Sequence, residues 1–235
     1  MKTKSIIIGI IFCACLALGY LVAAKSGNLD SSAESKTNAI PKTIFNIAPR
    51  QSNNLILLVD DLTAEKPQLT TIWMVFFYPK SQPYLIQLPV YPTTNKKINA
   101  ALQKEFIVTP LSGVNQSFWD KLETDFQLTW DHYLIVDETS LATLTQQLIG
   151  EEPPARLLKP ANKRKITNVL ADTTGIMKKI CGNLVSEKVN PAMMIEWKDL
   201  DAHLLTDMHT SNIEKDWNWI LSNPLVNPCN IISYK

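Results

Sequence analysis

Residues Thr71 to Tyr78 read TIWMVFFY, an uncharged run closed by Pro79. The run is short for a buried helix, and its β-branched and aromatic residues would occupy both faces of an extended chain. It therefore predicts a central strand covered on both sides. Leu55 to Val59 (LILLV) carries the same signature and ends in Asp60-Asp61. Tyr84 to Leu88 (YLIQL) follows the longer strand after a Lys-Ser-Gln-Pro turn, which predicts an antiparallel pair. His132 to Val136 (HYLIV) is a fourth predicted strand. A sheet that is apolar on both faces needs a layer on each side to bury it.

Helical spacings supply those layers. Ile98, Ala101, Leu102 and Phe106 recur on one helical face, and so do Phe118, Leu122 and Phe126, with Ser117 placed to cap and Asp120 three residues on. Leu141, Leu144 and Leu148 continue the period to Gly150, a helix stop. From Ile166 to Leu184 the period holds again, with a bend expected near Thr173 to Gly175 because Gly costs about 1 kcal/mol relative to Ala in a helix. Trp197, Leu200, Leu204 and Met208 predict a further helix. Ile213, Trp217, Ile220 and Leu221 predict a last one, opened by a Ser211–Glu214 capping box and ended before Pro224. The expected fold class is α/β, a layered α/β/α sandwich with a mixed central sheet.

Ahead of this domain, Ile6 to Ala24 carries no charge, close to the roughly 20 residues an apolar helix needs to cross a bilayer. Lys2 and Lys4 precede it, so the N-terminus is expected inside and the rest of the chain outside. The length favours an uncleaved signal anchor over a cleaved signal peptide, whose apolar core is typically about 7 to 15 residues. Val22, Ala23 and Ala24 keep the cleaved alternative open. Cys13 and Cys15 read as small apolar residues of that helix. The expected organisation is an anchor over 1–25, a polar linker over 26–40 and an exported domain over 41–235.

Composition removes several functions. Lys and Arg total 23 against 22 Asp and Glu, so the basic excess of a nucleic-acid binder is missing. An apolar content of 46% excludes a disordered solvating chain. No GxSxG or Gly-rich phosphate loop occurs among only 7 Gly. His132, His203 and His209 show no i, i+4 pairing of a helical zinc site. Cys181 and Cys229 fall in the exported part, where an oxidising compartment allows a bond; spacing alone leaves their pairing open.

The segments NNLILLVDD, QLTTIWMVFFYPKSQPYLIQLPVYP, KKINAAL and WDHYLIVDETSLATLTQQLIG follow one another in an order that resembles the LytR-CpsA-Psr family. The best pieces are Lys97-Ile98-Asn99-Ala100-Ala101 and Asp131-His132-Tyr133. The resemblance covers about Asn54 to Gly150 and loosens towards Met208. It implies a single-pass protein of the bacterial cytoplasmic membrane whose outer domain moves glycopolymers from a polyprenyl pyrophosphate to the cell wall. In that family Arg side chains grip the pyrophosphate, Asp carboxylates hold Mg²⁺, and an apolar cavity takes the lipid tail.

Most of those charged groups are replaced here. Gln68 and Thr70 stand where the family has the Arg and Asp of Arg-x-Asp-Thr, and Val90-Tyr91 where it has the Arg-Asp of Pro-Arg-Asp. Thr71 and Pro89 remain, and Asp61 matches the acid of the first turn although Val59 replaces its Gly. The Arg-rich segment before the long helix shortens to EEPPARLLKPANKRK, with Arg156 and Arg164. Losing two charge-assisted contacts of about 1.5 to 3 kcal/mol each weakens phosphate binding at least a hundredfold in rough terms.

The function then has three readings. The first is a non-catalytic module binding a polyprenyl lipid, a glycopolymer or an envelope partner. The second is a divergent transferase with Asp61 and Arg164 or Arg156 as catalytic candidates and Asp61 as metal ligand. The third is a scaffold or regulator with a filled cavity. No cofactor is expected, with Mg²⁺ entering only under the second reading. Trp73, Phe77 and Arg156 are candidate ligand contacts, plain core being the competing role of the two aromatics. Asp61 has a competing role as a turn cap.

Overall fold

The computed structural model describes residues 51–79, 84–109, 113–155, 157, 166–186, 190–223 and 229–232. The three hydrophobic runs form the middle of the sheet. Strands β1 (Ser52–Val59), β2 (Leu69–Tyr78) and β3 (Tyr84–Tyr91) pair antiparallel, each longer than its apolar run. After helix α1 (Lys96–Glu105) come a minor pair, β4 (Val108–Thr109) and β5 (Gly113–Val114), then α2 (Gln116–Phe126). Strand β6 (His132–Val136) returns parallel to β1, with Leu57 opposite Ile135.

Helix α3 (Glu138–Ile149) ends at Gly150, whose φ of 69° is the left-handed conformation Gly adopts without a Cβ penalty. Helix α4 (Ile166–Ser186) runs continuously through Gly175. The one-turn α5 (Pro191–Met194), strand β7 (Leu204–Thr206), helix α6 (Thr210–Ser222) and strand β8 (Asn230–Ile231) complete the order. The sheet runs β7-β6-β1-β2-β3-β8 and is mixed, as expected.

Alternation along the strands assigns the two faces. Leu55, Leu57, Val59, Ile72, Met74 and Ile135 share a cluster with Leu102 and Phe106 at α1 and Phe118 and Leu122 of α2. Phe106 and Phe118 meet edge to face at 5.1 Å. On the opposite face Phe77 and Leu85 pack against Cys181 of α4 and Trp219 and Ile220 of α6. The sheet therefore lies between two helical layers. Asn99, from the Lys97–Ala101 piece, is buried and ties the end of β3 to α1: its Oδ1 accepts from Thr93 N (2.9 Å) and its Nδ2 donates to Thr93 O (2.8 Å). Asp131 likewise accepts from Asn53 N at 2.8 Å and so fixes the start of β6 beside β1.

Three expectations need correction. The helix expected through Trp197, Leu200, Leu204 and Met208 is a 3-10 turn over Trp197–Leu200 followed by β7. Leu200 packs with Leu148, Leu184 and Ile195, while Leu204 to Thr206 pair antiparallel with β6, so sheet pairing overrides the helical spacing. Ser117 does not cap α2. Asn115 is the N-cap, and the Ser117 hydroxyl donates to Glu105 at 3.0 Å. Ser211 does not open α6 either; the helix starts a residue earlier behind His209. The short strands β4, β5 and β8 had no sequence prediction.

Cys181 and Cys229 are joined, with Cα atoms 5.6 Å apart. Among the described residues no helix is long and apolar enough to cross a membrane, and the expected anchor and linker lie outside those residues.

Candidate functional site

The strand ends β1, β6 and β7 meet at one edge of the domain. Asp60 and Asp61 follow β1, Asp137 follows β6, and His203 precedes β7. The carboxylate oxygens of Asp61 and Asp137 and a ring nitrogen of His203 lie within 4.8 Å of one another. Asp137 is 1% exposed and engaged on both oxygens. Its Oδ1 accepts from Ser140 N (2.9 Å), completing a capping box at α3. Its Oδ2 accepts from Leu62 N (3.3 Å) and faces His203 Nδ1 at 2.6 Å. An ionised carboxylate can only accept, so this geometry places the imidazole hydrogen on Nδ1 and leaves Nε2 as the other ring nitrogen.

Asp61 is exposed, and its Oδ1 accepts from Thr63 N (2.8 Å) and Thr63 Oγ1 (2.6 Å). It thus caps its own turn. The Thr63 hydroxyl, then the Thr63 amide, hold the Asp61 carboxyl below the ordinary value, with the His203 ring adding a smaller pull. The stabilisation from this lowered value is present above the ordinary carboxyl range and is lost as pH falls through the folded value. Thr63→Ala, which removes the hydroxyl contact and keeps the amide, is expected to raise the Asp61 value part of the way back to the ordinary carboxyl range. A carboxyl-carbon NMR titration of both proteins reads this directly, and an unchanged midpoint would show that the turn does not set it.

This donor set does not suit Mg²⁺. The ion prefers oxygen ligands in near-octahedral geometry. Here one donor is a nitrogen and both Asp137 oxygens serve the fold, which leaves Asp61 as the only available carboxylate of the three.

The positions of the replaced charges are equally informative. Val90 and Tyr91 are 5% and 8% exposed and belong to the core facing α1 and α2. Burial raises the Tyr91 hydroxyl above its ordinary value, so it stays neutral at physiological pH. Gln68 accepts from Gln103 Nε2 at 3.0 Å, a contact between two neutral side chains. Arg156 and Arg164 lie outside the described residues.

Between the sheet and helices α3 and α4 lies an apolar cavity of about 250 Å³. Leu58, Val136 and Leu204 line it at the strand ends that carry the Asp61–Asp137–His203 group, and Leu144, Ile176 and Ile180 line it from the helices. Trp73 is part of the lining; Phe77 is not, and meets Trp219 edge to face at 5.9 Å instead. Sequence reasoning weighed His203 only as a zinc ligand and set it aside, and it did not single out Asp137 or Gln87. The Asp137 cap was readable as an Asp three residues before Ser140, whereas its 66-residue separation from His203 leaves no local pattern.

The chain matches no protein-family profile and no curated protein. Solved structures similar to it include Bacillus subtilis TagV, at 13% identity over 79% of this chain and 85% of that one, with a TM-score of 0.49. TagT bound to LIIa-WTA is similar at 9% identity over 86% and 84%, with a TM-score of 0.44. A transcriptional regulator from Enterococcus faecalis is similar at 12% identity over 78% and 75%, with a TM-score of 0.46.

Proposed function

We propose that this chain is a membrane-anchored, extracytoplasmic protein of the bacterial cell envelope that binds the apolar chain of a polyprenyl-linked glycan without turning it over. The observation that carries the reading is the apolar cavity between the sheet and α3–α4, which no Lys, Arg, Asp or Glu of the described residues lines. Its volume of about 250 Å³ falls just under the roughly 300 Å³ at which small-molecule pockets begin, and its lining is apolar. Gln68, Val90 and Tyr91 offer no charge to a pyrophosphate, and Asp61 by itself makes a poor Mg²⁺ site. Binding therefore rests on apolar contact.

Native mass spectrometry with lipid extraction on the detergent-purified full chain tests this. A co-purified polyprenyl phosphate or pyrophosphate is the expected result. A protein that is empty and also refuses added polyprenyl phosphate overturns the reading and leaves a scaffold that reuses the fold.

A further inference from the structure

The donor set that suits Mg²⁺ poorly suits a different kind of ion. An imidazole nitrogen beside a carboxylate is a donor pairing of Zn²⁺ and its neighbours in the first transition row, whereas Mg²⁺ prefers oxygen throughout. Asp61 and His203 supply that pairing, with a carboxylate oxygen of one and a ring nitrogen of the other within 4.8 Å. Two donors on one tetrahedral ion stand about 3.4 Å apart at bonds of about 2.1 Å, so a small side-chain adjustment brings both onto an ion.

The frame around the two donors is already built. Asp137 is 1% exposed, its Oδ2 lies 2.6 Å from His203 Nδ1, and its backbone N–H donates to His203 O at 3.3 Å. A carboxylate bound to one ring nitrogen fixes the orientation and tautomer of an imidazole and makes the other nitrogen a better metal donor. That other nitrogen is Nε2. Asp61 is held as firmly: both Thr63 bonds go to Oδ1, and Asp61 N donates to Asp60 Oδ1 at 2.8 Å, which leaves Oδ2 outside these bonds. Charge favours a cation as well. The carboxylates of Asp60, Asp61 and Asp137 stand against one imidazole, and among the described residues no Lys or Arg pairs with any of the three.

We propose that Asp61 Oδ2 and His203 Nε2 bind Zn²⁺, with Asp137 as the positioning carboxylate and water in the remaining positions. The site goes beyond the lipid-binding reading and does not depend on it, since the protein's own side chains hold the ion without a phosphate.

The test is calorimetric titration of the chelator-treated full chain in detergent with Zn²⁺ alone and with Mg²⁺ alone, joined to nitrogen NMR of its histidines. Zn²⁺ is expected to bind at least about a hundredfold more tightly than Mg²⁺. His203→Ala and Asp61→Asn are each expected to weaken Zn²⁺ binding about tenfold or more. The Asn side chain keeps an oxygen for the Thr63 bonds, so the turn survives the second change. On addition of Zn²⁺ the His203 Nε2 resonance is expected to move while Nδ1 keeps its hydrogen. Equal Zn²⁺ uptake by the parent and both variants overturns the inference and assigns the ion to other groups, such as Cys13 and Cys15 or His132 and His209. A loss in only one variant overturns the shared site. Mg²⁺ binding as tight as that of Zn²⁺ overturns it in favour of an oxygen site, and no Zn²⁺ binding overturns it outright. Loss of the Nδ1 hydrogen overturns the positioning role of Asp137, because the ion would then lie between the two side chains.

Discussion

Reducing the Cys181–Cys229 bond is expected to cost the domain about 4 kcal/mol, the chain-entropy value for a closed loop of this length. The two residues are separated by 48 positions, so the bond removes many extended conformers from the unfolded chain. It also has a local duty. Strand β8 is only two residues long and pairs with β3 through Ile86–Asn230 and Gln87–Ile231, which is little backbone bonding to hold a chain end. Cys229 has a φ of 66°, a left-handed conformation that non-Gly residues keep only where their surroundings insist. Without the bond, that segment retains, among the described residues, the short β8 pairing and the contacts of Cys229 with the Phe77–Trp219 cluster. The melting temperature should fall by roughly 8 to 16 °C, at about 2 to 4 °C per kcal/mol for a domain of this size. Scanning calorimetry with and without reductant, repeated on a Cys181→Ala/Cys229→Ala double variant, measures it; a fall of only a degree or two would assign the segment's order to packing alone.

Asp137→Ala is the second large expected loss, about 3 kcal/mol. Removing the N-cap of α3 costs about 1 kcal/mol by itself. Hydrogen bonds to a charged group are each worth about 1.5 to 3 kcal/mol, and this carboxylate also receives Leu62 N and the His203 ring. The three partners belong to three different pieces of chain: the turn after β1, the first turn of α3 and the turn before β7. One carboxylate therefore holds three strand ends in register. His203→Ala should cost much less, since its side chain is 28% exposed and water can replace its contact. Urea unfolding separates the two cases: a lower midpoint at unchanged slope is expected for Asp137→Ala. Similar midpoints for both variants would show that the His203 contact, and not the cap, dominates.

What was legible in the chain follows from where each signal is encoded. The central strands were readable because Leu55–Val59 and Thr71–Tyr78 are buried on both faces and so are apolar throughout. The edge strands were not, because Leu204–Thr206 and Asn230–Ile231 owe their conformation to β6 and β3, whose proximity no local pattern announces. Leu200 and Leu204 even mimic a helical face. The turn-capping role of Asp61 was readable from its place at a strand end, and Thr63 two residues on completes it. Gln87 sits in an apolar run, YLIQL, where a lone polar residue reads as a surface position; only the register with Val75 and the layer above turn it inward. Cys181 and Cys229 were visible as candidates, and the packing of α4 against the sheet decides the pair.

The two margins of the sheet carry a consequence for how copies of this protein meet. Among the described residues the outermost strands are three and two residues long, against eight and ten for β1 and β2 in the interior. A row of open backbone donors and acceptors is what recruits a neighbouring chain into fibrillar growth, and β8 covers only Ile86 and Gln87 of the eight-residue β3, so among the described residues most of that margin has no strand beside it. The apolar run TIWMVFFY is paired on both sides. Where crowded copies of the folded domain meet through their sheets, the outer margin of β3 is therefore the place, and not the enclosed central strand.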